Sequence, residues 1–136
     1  MEREGDILGA VGFSVMSIRP GDSAVAIGIG DLPVAASSHF LNLLESATLT
    51  AISEFLEPGE TTTLKVVALE IFEAVAIGSE IRATATCSQV RGRDLDFVCD
   101  VYDGERHIAH ATMTRATVER VSFLARTAAH SLNSQI

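Results

Sequence analysis

The feature that most limits what this chain can fold into is one helical stripe set among segments that alternate. Phe40, Leu43, Leu44, Ala47, Ala51 and Phe55 recur at three- and four-residue intervals, the spacing of a single buried helix face. Ser37 or Ser38 is placed to cap this helix, and Pro58-Gly59 stops it, so a helix is expected over Ser37–Phe55. The segments after it read differently. Residues 62–72 alternate weakly, and 79–91 put Ile81, Ala83, Ala85 and Cys87 on one face. Residues 94–102 set Leu95, Phe97, Cys99 and Val101 against Asp94, Asp96, Asp100 and Tyr102. Asp103-Gly104 is a strong hairpin signal, with 105–117 returning as the partner strand.

Before the helix, residues 10–18 and 24–30 have strand composition and flank the turn Arg19-Pro20-Gly21-Asp22. A short terminal helix is expected at about 118–130. One amphipathic helix against an antiparallel sheet is an α+β arrangement, and 136 residues fit a single domain spanning 1–136. The core must be built from small side chains: 47% of residues are hydrophobic, yet there is one Tyr and no Trp.

The net charge of −8, with a single Lys, excludes nucleic acid as the expected partner, because phosphate binding needs clustered cations. No apolar run reaches the ~18 residues of a membrane span. The opening residues Met1 to Asp6 are charged and lack the apolar core of a signal peptide. Cys87 and Cys99 make no disulfide framework, so a reducing cytoplasm is the expected setting. The four histidines, His39, His107, His110 and His130, have no Glu-x-x-His or His-x-x-x-His neighbours. Neither a metal nor another cofactor is therefore expected.

Two residues carry candidate chemistry. Glu45 lies beside the apolar stripe, where a carboxylate is either desolvated into general-base range or simply laid along the helix surface. Ser37 stands two helical turns earlier. It is either an ordinary cap or a hydroxyl that holds substrate where free N–H groups favour an oxyanion. His110, expected on an inward strand face, reads as hydrogen-bonded structure or as a catalytic base. No Gly-x-Ser-x-Gly elbow is present.

Ser37, Leu43-Leu44-Glu45 and Leu56-Glu57-Pro58-Gly59-Glu60 together resemble the fluoroacetyl-CoA thioesterase family of hot-dog proteins. Gly78, the stretch Val90-Arg91-Gly92-Arg93-Asp94-Leu95, Asp103-Gly104, Ile108, Thr112 and Arg115 keep the same register, over about residues 34–124. The resemblance implies a curved antiparallel sheet around one central helix. It also implies a homodimer with acyl-CoA in a groove between subunits, and thioester hydrolysis. In that scheme Glu45 is base or nucleophile, and Ser37 positions the carbonyl or water.

Three departures stand out. The family's catalytic His falls at Ile71, its small oxyanion-forming residue at Leu64, and its aromatic lid at Asp31-Leu32-Pro33-Val34, which has no Phe. Selectivity for fluoroacetyl-CoA is therefore not expected. The chain either hydrolyses thioesters with Glu45 alone, recruits His39 or His110, or binds an acyl thioester or other apolar ligand without cleaving it. A hydratase of the same fold is disfavoured by the lack of an Asp-x-x-x-x-His pattern.

Overall fold

The expected stripe forms the helix around which everything else is arranged. In the computed structural model, which describes residues 2–134, helix α3 runs from Ser37 to Ile52 and buries Phe40, Leu43, Leu44, Ala47, Ala51 and Ile52. Its last expected turn tightens into a 3-10 turn at Ser53–Phe55. Before it come α1 (Glu2–Ile7), β1 (Val11–Ser17) and α2 (Ala24–Ile27). After it come β2 (Glu60–Ile71), β3 (Glu80–Arg91), β4 (Asp94–Asp103), β5 (Arg106–Glu119) and α4 (Arg120–Ser134).

The five strands form one antiparallel sheet in the order β1-β3-β4-β5-β2. The face toward α3 is the expected one. Ile81, Ala83, Ala85, Cys87, Leu95, Phe97, Cys99 and Val101 are all buried there, joined by Ala109, Ala111 and Met113 of β5. Both thiols are free, and burial pushes that of Cys99 up to about 12.

Three local expectations are corrected. Residues 24–30 are not a strand. The Ser23 hydroxyl accepts from the Ala26 N–H, and Gly28 adopts the left-handed φ of 77° that closes the one-turn helix α2. The capping position of α3 is Ala36, not Ser37 or Ser38, and no side chain caps the helix. Backbone bonds hold this corner instead: Ala36 N–H donates to Asp22 O and Ala35 N–H to Val75 O, and Ala36 is wholly buried. Finally, the terminal helix starts at Arg120 and extends to Ser134, because β5 continues to Glu119.

The contact that brings α3 onto the sheet lies at Gly12 of β1. A Cβ there would come within 2.5 Å of both Ala51 N and Thr50 Oγ1. Thr50 Oγ1 fills the gap, accepting from Phe13 N–H at 3.1 Å and lying 2.9 Å from Ala47 O, to which it can donate. Elsewhere in a strand, exchanging Gly for Ala is stabilising. Here the added methyl has nowhere to go, so Gly12→Ala is expected to lower stability by about 1–3 kcal/mol. Urea denaturation of the two proteins checks both the sign and the size.

Candidate active site

Ser37 opens α3 and is exposed at the junction of two shallow clefts, each about 240 Å³. The first lies between the head of α3 and the end of β2, with Phe40, Ile71 and Phe72 among its walls. The second is walled by Ala24 and Ile29 and by Asp31, Leu32 and Val34 of the segment where the family's aromatic lid falls. Ile71 faces this site because it pairs with Ala109, a residue of the buried face. The side chain that stands where the family's His is expected is thus beside Ser37, and it is hydrocarbon.

Glu45 is eight residues further along α3, about 12 Å away. It is not among the residues lining either cleft. Within a single chain, Glu45 and Ser37 do not line either of these clefts together. Glu45 is about a third exposed (31%), whereas its partner Arg115 is only 6% exposed, and Arg115 Nη1 donates to Glu45 Oε1 at 3.0 Å. The same guanidinium donates through Nε to Thr62 Oγ1 at 2.8 Å and through Nη2 to the Thr62 carbonyl at 3.3 Å. Leu64 pairs with Arg115 across β2 and β5, so it stands at this end of the strand too.

The candidate residues thus fall into two groups at opposite ends of β2. Ser37 and Ile71 are at one end, and Glu45, Arg115, Thr62 and Leu64 are at the other. His39, the nearest alternative base, instead places Nε2 3.3 Å from Asp22 Oδ1. His110 is not on the expected inward face: Ala109 and Ala111 on either side of it take that face, and His110 lies on the outer one, bonded to Asp100. Neither meets Glu45 or Ser37 among the described residues.

Residues 18–121 match the model of the fluoroacetyl-CoA-specific thioesterase family. The chain belongs to this family. The fluoroacetyl-CoA thioesterase of Streptantibioticus cattleyicolor is 29% identical over 93 residues, which cover 68% of this chain and 67% of that one. A solved variant of the fluoroacetyl-CoA thioesterase with fluoroacetate superposes with a TM-score of 0.83 at 22% identity, covering 90% of this chain and 97% of the other. A thioesterase-superfamily member from Thermus thermophilus gives 0.87 at 17% identity, covering 94% and 95%. A hot-dog-like protein from Thermanaerovibrio acidaminovorans gives 0.81 at 15% identity, covering 91% of each. The fold is the hot-dog fold.

Arg115 was noted in the sequence only as a residue in register with the family. The signal for its role was present, because an arginine at the inward phase of β5, after Ala109, Ala111 and Met113, must find a counter-ion. Removing it leaves Thr62 and Glu45 without their shared donor. Arg115→Ala is expected to cost about 1.5–3 kcal/mol, because it removes charge-assisted hydrogen bonds while the Glu45 left behind still reaches solvent. Urea unfolding at neutral pH measures it.

Proposed function

We propose that the chain is an acyl-CoA thioesterase whose working site is formed between two copies, with Glu45 as base or nucleophile and Ser37 positioning the thioester. The observation that carries this reading is the division of the candidate residues between the two ends of β2. β2 is an edge strand, and Val66 near its middle is 55% exposed. Pairing this edge with that of a second copy, antiparallel about a two-fold axis near Val66 and Val67, sets Thr62 of one chain across from Ile71 of the other. Glu45 with its Arg115 partner is then carried toward the Ser37 cleft of the second copy. The same pairing covers an apolar strand edge that would otherwise invite aggregation.

At the head of α3 the His39 N–H already donates to Ala36 O, so the N–H groups of Ser37 and Ser38, at the positive end of the helix, are the ones that favour an oxyanion developing on the thioester carbonyl. Glu45 activates water or attacks directly. Arg115 holds the carboxylate in place. Free Cys87 and Cys99 fit a reducing, cytoplasmic setting; the net charge of −8 disfavours nucleic acid, and an acyl-CoA, itself anionic, approaches against the overall field.

Ile71 favours a second reading, in which the chain binds an acyl thioester or another apolar ligand and does not cleave it. A side chain without a titratable proton stands at the wall of the Ser37 cleft, and a positioned acid–base group is worth roughly 10²–10⁴-fold in rate. Slow hydrolysis of short acyl-CoAs is therefore expected, with Glu45→Gln abolishing it and Ile71→His raising it. Thiol release by the three proteins distinguishes the readings. Saturable acyl-CoA binding without thiol release supports the binding protein, and fast hydrolysis that survives Glu45→Gln places the active site elsewhere.

A further inference from the structure

Away from this site, three ligating side chains converge on the outer face of the sheet. Asp100 Oδ1 lies 2.8 Å from His107 Nε2 and 2.9 Å from His110 Nδ1. One donor atom from each of the three residues falls within 4.8 Å of the others. We propose that Asp100, His107 and His110 form a binding site for a divalent transition-metal ion of the zinc class.

The convergence has a backbone cause. Residues three apart on a regular strand face opposite sides of a sheet, so His107 and His110 should not meet. The β4–β5 register shifts at this point: Val101 pairs with Ala109 but Tyr102 pairs with His107, leaving Ile108 as the extra residue of a bulge. That insertion turns both imidazoles to the outer face. Asp100 pairs directly with His110, so its carboxylate arrives on the same face from β4. The helical spacings sought in the sequence, Glu-x-x-His and His-x-x-x-His, do not describe such a site, which is why no metal was expected there.

The ring of His107 is held before any ion arrives. It stacks on Tyr102 at 4.9 Å between centroids, and Phe72 lies against it at 5.1 Å. Glu70, in register with His110 on β2, adds negative charge to the same face. Zinc takes imidazole nitrogen and carboxylate oxygen at about 2.0–2.2 Å in tetrahedral geometry, which separates neighbouring donors by about 3.3 Å. The two Asp100–His separations therefore need to open by only about half an ångström. Each imidazole would bind the ion as the neutral tautomer, through the nitrogen now facing Asp100 and with its proton on the other ring nitrogen. Two nitrogen donors and one oxygen select zinc, cobalt or nickel over magnesium or calcium, which prefer all-oxygen shells. Three protein donors also leave a coordination position open to water or an outside carboxylate. The buried thiols of Cys87 and Cys99 do not compete.

This inference does not rest on the thioesterase reading, and its test does not use activity. Tag-free, chelator-treated protein is titrated with Zn²⁺ by calorimetry and with Co²⁺ by visible absorption. The expected result is saturable binding of one ion per chain, with Co²⁺ bands of low-symmetry coordination and no response to Mg²⁺. His107→Ala and Asp100→Asn are each expected to weaken binding by at least about tenfold, while His130→Gln leaves it unchanged. His107 is 40% exposed, so its replacement does not disturb the core. Absence of saturable binding by the wild type overturns the proposal, as does binding that His107→Ala and Asp100→Asn leave intact.

Discussion

The approach of α3 to the sheet at Gly12 is the constraint on which the rest depends. A helix normally stands off a sheet by the thickness of its side chains. Here the strand next to it offers a hydrogen atom, and the helix answers with Ala47, Ala51 and the hydroxyl of Thr50. Ala83 and Ala85 on the neighbouring strand are equally small and wholly buried. A core of this kind explains a composition rich in apolar residues yet poor in large aromatics. It also fixes how far Ser37 and Glu45 stand from β2, because both ride on the helix that this contact seats.

Much of this was legible in the sequence, for reasons that differ by element. Strands β3 and β4 bury one face and wet the other, so Ile81 to Cys87 and Leu95 to Val101 announce their orientation by simple alternation. Asp103-Gly104 marks its hairpin because Gly104 must take a φ of 59°. Residues 24–30 misled because Ala, Val and Ile suit a strand as well as one turn of helix. There the decision lay with the Ser23 cap and Gly28. The buried corner at Ala36 is held by backbone bonds, which leave no mark in the side chains. The bulge at Ile108 is equally silent, since it is a property of the pairing and not of either strand.

The candidate site was legible in its members and not in its assembly. Ser37 and Ile71 do lie at one cleft, and Glu45 does lie at the edge of the core. The two-turn separation on α3 sets Ser37 and Glu45 broadly on one side of the helix, with about 12 Å of helix between them. What brings such groups together in the proposed site is the free edge of β2 and a second copy. Arg115 then has a clear physical role. It is a buried cation that needs Glu45 as much as Glu45 needs a fixed orientation, and Thr62 holds the remaining guanidinium donors.

The most direct test of the shared site is subunit mixing. Glu45→Gln removes the carboxylate, and Ser37→Leu fills the cleft at the head of α3. Each variant alone is expected to lose thiol release from acyl-CoA. Equimolar unfolding and refolding together yields dimers in which half the mixed species' sites are intact, so about a quarter of the wild-type rate should return. No recovery, with mixed dimers verified by native mass spectrometry, would contradict a site built from Glu45 of one copy and Ser37 of the other.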